Sequence, residues 1–321
     1  MKRQEIIDFL NGRDDEWLFE RARAVRDETL GDKVYLRGLI ELSNRCLKDC
    51  LYCGIRNSNH NIIRYELSEN QVFSAAIYAV QHHYGSVVLQ SGEQNSARFV
   101  DYIERLVSHI KELSSNQLNI TLSLGEQPLE SYKRWRAAGA HRYLLRIESS
   151  SQELYQKIHP EQQTYIQRIT ALQNLRDAGF KVGSGVMIGL PMQSVENLAD
   201  DILFFRDHKI DMCGMGPYIE HPDTPLVAYR SNFSSNDRLQ LTLRMIAVLR
   251  ILMPWINIAS TTALHALDPL GREKGVAAGA NVVMPNITPQ IEKNSYRLYA
   301  NKPMEDMVLD NFNVAWGEDN N

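Results

Sequence analysis

Three cysteines stand close together in Cys46-Leu47-Lys48-Asp49-Cys50-Leu51-Tyr52-Cys53, a C-x3-C-x2-C run with an aromatic residue just before the last thiol. Thiolates this near one another can wrap one face of an inorganic cluster, and each lies too near the next for an ordinary disulfide staple to be the purpose. Read chemically, the run is a [4Fe-4S] site with three protein ligands, Cys46, Cys50 and Cys53. A cubane has four irons and electron-transfer clusters usually take four cysteines, so one iron is left open for a small molecule. Structural zinc wants four ligands, as two C-x2-4-C pairs or a Cys/His set. The sequence offers no second pair, and His60 is the nearest imidazole. Free thiols are mostly protonated at neutral pH, so a metal must displace their protons, and three unused thiols on one loop would be open to oxidation.

The remaining residues have to carry that loop. A chain of 321 residues forms one large α/β domain or two smaller ones. Its 44% hydrophobic and 23% charged residues are those of a globular protein. A net charge of -4 leaves no basic footprint for nucleic acid. The sequence has no apolar run of about 18 residues for a membrane span, and Met1-Lys2-Arg3 leads into polar, acidic sequence rather than a signal-peptide core. The expected location is the cytoplasm. Four cysteines, three of them in one motif, argue against a disulfide framework, and Cys213 reads as a small buried thiol on a strand.

Residues 1–31 are predicted helical, with Trp17, Leu18, Ala22 and Val25 on one apolar face and Gly31 as the stop; the expectation is a helical cap over a barrel end. Val34 to Leu42 is a strand that delivers the cysteine loop. Ser68-x-x-Gln71 is a capping box opening a helix through His82. Strands rich in Val, Ile and Leu then alternate with helical stretches. They are 86–93 and 95–113, 118–126 and 128–140, then 142–149 with a longer helical region through Gly179. Next come 182–190 and 194–208, 211–219 and 236–252, 257–262 and 270–278, and finally 281–285. The alternation implies a parallel sheet with right-handed crossovers. Eight units imply a (βα)8 barrel of TIM type, a single domain over 32–300 with a tail at 301–321 whose acidic end is expected to be disordered.

Active sites of such barrels lie at the C-terminal strand ends. Polar residues gather there: Ser91-Gly92-Glu93, Thr121-x-Ser123-x-Gly125-Glu126, Arg146-Ile147-Glu148-Ser149, Gly183-Ser184-Gly185, Met215-Gly216-Pro217-Tyr218, Ser260-Thr261-Thr262 and Asn286. Burying Arg146 and Glu148 unpaired would cost several kcal/mol each, and a bound zwitterion would supply the counter-charges.

The cysteine run resembles the signature of the radical S-adenosylmethionine (SAM) enzymes. That resemblance implies that the open iron chelates the amino and carboxylate groups of SAM, and that one electron from the cluster cleaves it to a 5'-deoxyadenosyl radical. Ser91-Gly92-Glu93 resembles the element that receives the SAM amino group. Gly183-x-Gly185-x-x-x-Gly189 resembles the strand that approaches the adenine. By the same resemblance Tyr52 would lean toward the adenine, and Met212 to Tyr218, including Met215, would close the other side. Glu148 would accept from the ribose hydroxyls, and Arg168 would pair with the SAM carboxylate.

Ile40-Glu41-Leu42-Ser43-Asn44, Leu89-Gln90-Ser91-Gly92-Glu93, Thr121-Leu122-Ser123-Leu124-Gly125-Glu126, His221-Pro222-Asp223-Thr224-Pro225-Leu226 and Met284-Pro285-Asn286 are similar to the HydE family of [FeFe]-hydrogenase maturases. This implies action on a small, sulfur-containing, amino-acid-derived iron complex during assembly of the hydrogenase diiron subcluster. Thr121, Arg146, Thr261 and Thr262 would line the substrate pocket, with Arg146 as carboxylate anchor. The implied partners are a reductant such as ferredoxin or flavodoxin and other hydrogenase maturation proteins. Ile147 stands where the family usually has His, Met192 where Gly usually follows Gly-Leu-Pro, and C-terminal cysteines for a second cluster are absent. Two other readings are a methylornithine-synthase-like radical mutase and an iron-sulfur carrier without turnover. A carrier does not need the set Glu93, Glu148 and Arg168.

Overall fold

The computed structural model describes residues 1–300, 302–303 and 309–317. The apolar runs form eight parallel strands: β1 (Val34–Ser43), β2 (Ser86–Ser91), β3 (Asn119–Ser123), β4 (Arg142–Leu144), β5 (Lys181–Ser184), β6 (Met212–Cys213), β7 (Asn257–Ser260) and β8 (Val282–Val283). They pair in sequence order, and β8 returns to β1 through Tyr35 with Val282 and Leu36 with Val283, closing the predicted barrel. β1 is buried along nearly its whole length, as a strand covered on both faces must be.

The stretches expected to continue β5 and β6 are interrupted after Ser184 and Cys213, and pairing resumes as Met187–Ile188 beside Gly216–Pro217. At the break a Cβ on Gly185 would stand 2.1 Å from the Gly214 carbonyl oxygen. Close approach of the two backbones therefore requires glycine there.

The outer layer comprises α3 (Glu69–Gln81), α4 (Ala97–Leu113), α5 (Leu129–Ala137), α6 (Gln152–Ile158), α7 (Tyr165–Asp177), α8 (Val195–Asp207), α9 (Ser235–Leu252), α10 (Thr262–Leu267) and α11 (Gly271–Ala277). The Ser68/Gln71 box caps α3 as predicted. The long helical region before Gly179 is two helices, since Pro160 cannot continue the first. The apolar core lies between sheet and helices, with Trp135 fully enclosed beside Phe99, Tyr132 and Tyr143.

The N-terminal stretch is also two helices, α1 (Arg3–Leu10) and α2 (Asp15–Leu30), divided at Gly12 (φ 85°) and restarted by the Asp14 cap. They pack on the helical layer: Arg3 pairs with Asp200 of α8 at 2.6 Å, Arg244 of α9 with Asp15 at 2.7 Å, and Arg26 donates to the Val276 carbonyl of α11 at 2.7 Å. Leu18, Ala22 and Val25 face inward, but Trp17 is 46% exposed and stacks on Phe9 instead. Within the tail, Val314–Ala315 pairs with the start of β1. The expected disorder of its acidic end falls on residues 318–321, outside the described residues. Among the described residues no helix is long and apolar enough to cross a membrane.

Candidate active site

β1 ends in a register shift against β2 between Glu41 and Ser43, the kind of bulge that re-aims a chain, and the cysteine loop follows. Arg64 holds the loop by donating to the carbonyls of Asn44 (2.5 Å), Ile55 (2.8 Å), Arg56 (2.5 Å) and Asn59 (3.0 Å). Leu51 and Tyr52 pack on a small second core of Leu154, Ile158, Met187, Leu190, Tyr218 and Leu226. All three thiols of the run are free and partly buried. Burial pushes each above its ordinary pKa, Cys50 to about 12, and the sulfurs are near enough to raise one another. The Cys46 sulfur accepts the backbone N–H groups of Lys48 (3.4 Å) and Glu93 (3.3 Å).

Among the described residues no three His, Cys, Asp or Glu side chains are grouped to hold one metal ion, as a mononuclear zinc site requires. A cubane takes one thiolate per iron, so its ligands need not converge on a point. Three neighbouring free thiols in a loop pinned by hydrogen bonds fit that group.

Behind the loop runs a chain of charges. Lys48 contacts Glu93 at 3.2 Å and Glu126 at 3.0 Å, and Arg168 pairs with Glu126 at 2.6 Å. Burial pushes the Glu93 carboxyl up against the pull of Lys48. Burial alone would also raise Glu126, but Arg168 and Lys48 outweigh it and hold that carboxylate below its usual range. Arg168 is 6% exposed, so it is no solvated helix residue; it also donates to the Arg146 carbonyl. Glu93 accepts the Glu126 N–H at 2.9 Å. Gly92 is needed because a Cβ there would stand 2.4 Å from the Arg45 carbonyl oxygen, and Ser91 Oγ donates to the Gly92 carbonyl at 2.7 Å.

At the end of β4 the backbone of Glu148 is left-handed, φ 64°, a conformation that non-glycine residues hold at a cost and that clusters at functional sites. Its carboxyl is buried, pushed up by that burial, and lies 3.2 Å from Arg146 Nη2 without hydrogen-bond geometry. Among the described residues, Arg146 Nε, Glu148 Oε2, Thr121 Oγ1 and Thr261 Oγ1 are all buried without a hydrogen-bond partner. Buried polar atoms are nearly always satisfied, and at these four a ligand atom would find an open partner. Thr121 opens on a barrel cavity of about 30 Å³ with Arg37, Met212 and Asn257.

Not every expected residue is delivered. Met212 lies in that interior cavity, its sulfur 3.5 Å from Arg37 Nη1, and Met215 is enclosed in the main apolar core. Gly183 and Gly185 have close neighbours of their own, the Met212 side chain and the Gly214 backbone. Tyr52 places its hydroxyl 3.2 Å from His159 Nε2. Ile147, where the resemblance would place His, joins the main core. Thr262 begins α10, with Thr261 as its cap residue.

Sequence reasoning missed Lys48, Arg64, His159, Gln163 and Lys302. Lys302 is buried, paired with Glu41 at the end of β1, and donates to the Tyr296 carbonyl at 2.8 Å. The segment leading to it is pinned over the cysteine loop, where Gly54 N–H donates to the Leu298 carbonyl and Asn44 Nδ2 to that of Ser295, both at 2.9 Å.

A family model described as the radical SAM superfamily matches residues 40–205. The [FeFe] hydrogenase maturase subunit HydE of Thermotoga maritima is 43% identical over 287 residues, 89% of this chain and 80% of that protein. Among solved structures, methylornithine synthase superposes with a TM-score of 0.77 at 25% identity, covering 88% of this chain and 82% of that one. HydG, a maturase of the [FeFe]-hydrogenase, shares the fold with a TM-score of 0.78 at 20% identity, over 94% of this chain and 69% of that one.

Proposed function

The chain belongs to the radical SAM superfamily, and from that premise we propose that it acts as a HydE-type maturase on a small, sulfur-containing, amino-acid-derived iron complex. Membership implies a [4Fe-4S] cluster and SAM, a small-molecule substrate and a reductant. In our reading Cys46, Cys50 and Cys53 hold the cluster, which when bound supplies the electron that cleaves SAM to a 5'-deoxyadenosyl radical. The chain's own groups bind and orient. Glu93 receives the SAM amino group, Arg168 its carboxylate and Glu148 its ribose hydroxyls. Arg146 presents a planar guanidinium that suits a substrate carboxylate through two parallel hydrogen bonds. Thr121, Thr261 and Thr262 offer hydroxyls to the same substrate. The reductant is of the ferredoxin or flavodoxin type.

The observation that carries this reading is the coincidence of the triple-thiol loop with unsatisfied atoms on Arg146, Glu148, Thr121 and Thr261, in a chain 43% identical to a HydE. Anaerobically reconstituted protein with dithionite is expected to release 5'-deoxyadenosine from SAM, and Cys50→Ala is expected to release none. No release by the intact protein would favour an iron-sulfur carrier. Offered amino acids and a synthetic iron–cysteine complex under reduction, the protein is expected to yield an adenosylated product from the complex, detected by mass spectrometry. Rearrangement of a free amino acid instead would favour a mutase.

A further inference from the structure

The Cys50 thiol donates its proton to Gln163 Oε1 at 3.5 Å. The other end of that amide, Nε2, is buried with no acceptor among the described residues. Gln163 is 2% exposed, and its backbone is fixed by an N–H donated to Pro160 at 2.9 Å and a carbonyl accepting from Gln156 at 3.4 Å. The Tyr155 hydroxyl lies against the same amide and likewise lacks a hydrogen bond of good geometry among the described residues. One side chain is thus flanked by an unused donor of its own and an unused donor of its neighbour.

An iron-bound sulfur has no proton to give. Facing it, the amide oxygen would set acceptor against acceptor, whereas the amide nitrogen would find a partner. The Tyr52 hydroxyl also lies beside Cys50, but its one proton is committed. His159 Nδ1 lies 2.8 Å from the Tyr155 carbonyl and must donate to it, so neutral Nε2 accepts from Tyr52 at 3.2 Å.

We propose that Gln163 is a positioning residue for the cluster. When Cys50 gives its proton to solvent and binds iron, the amide turns over; Nε2 donates to Cys50 Sγ and Oε1 accepts the Tyr155 hydroxyl. One S–H···O bond is broken, and one N–H···S and one O–H···O bond are made. The motion is a rotation about the last side-chain torsion, which is broad and roughly two-fold, so the backbone need not move. Hydrogen bonds to cluster sulfurs favour the reduced state and set its potential. The inference rests on the cluster reading above and adds a residue that tunes how readily the cluster accepts its electron.

The test is the midpoint potential of the reconstituted protein, followed by electron paramagnetic resonance without SAM and with iron and sulfide counted in each sample. Gln163→Leu at full iron content is expected to fall by about 59 mV, the one-electron equivalent of a tenfold drop in the reduced-to-oxidised ratio. Gln163→Glu, whose ionised carboxylate only accepts, is expected to fall further, and Tyr155→Phe less. An unchanged midpoint in Gln163→Leu overturns the proposal. Should that variant not hold the cluster, Tyr155→Phe decides on the same terms. A wild-type chain that takes up no [4Fe-4S] cluster sinks the functional reading and this proposal with it. A normal cluster whose potential ignores Gln163 sinks only this one.

Discussion

Trp135, between strands and helices, is enclosed by aromatic rings and donates its indole N–H to the Val100 carbonyl at 3.1 Å. Thr121, on the other side of the same sheet, is 1% exposed yet its hydroxyl has no partner among the described residues. In the outer layer the buried ring is packed and its polar atom satisfied. In the barrel interior a group is kept that folding does not use, a departure expected where a ligand completes the arrangement. Packing satisfies the polar atom on one face of the sheet and leaves the hydroxyl on the other without a partner among the described residues.

The contrast breaks most visibly if the outer layer is emptied. Trp135→Ala is expected to lower the unfolding free energy by about 3–5 kcal/mol, measured by urea titration, with SAM cleavage per folded molecule unchanged; a loss of turnover without a loss of stability would erase the distinction. Asp201 of α8 joins the two regions, accepting Ser150 N–H and Oγ–H at 2.6 Å just past Glu148. Burial pushes its carboxyl up to about 7 from 3.8. Its contribution to stability is therefore complete below about pH 4 and fades as pH rises through 7. Asp201→Asn is expected to gain at most about 4 kcal/mol over wild type at pH 8 and nothing at pH 4; parallel stability curves would count against this. The smallest change in stability belongs to Thr121→Val, within about 1 kcal/mol because no hydrogen bond is lost. Substrate affinity should nevertheless weaken about tenfold. A marked destabilisation with intact binding would make the hydroxyl structural.

What could be read from the sequence was local. The thiol run, the eight apolar strands, the Ser68/Gln71 cap and the polar strand ends each announce themselves within a few residues. The counter-charges did not, because Arg168 meets Glu126 across 42 residues and Lys302 meets Glu41 across 261. The break that interrupts the fifth and sixth strands has no local signal either. Alternation along a strand fails at the Gly185/Gly214 break, which depends on two backbones meeting. The splitting of α6 from α7 did have a signal in Pro160. Met192, at φ 67°, holds the left-handed position that a glycine would occupy without strain.

The Lys302–Glu41 pair also has a meaning in time. As the polypeptide leaves the ribosome, Glu41 and the cysteines are made early, and the ammonium that neutralises Glu41 is made 261 residues afterwards. A nascent barrel thus presents its thiols before the strap can fasten.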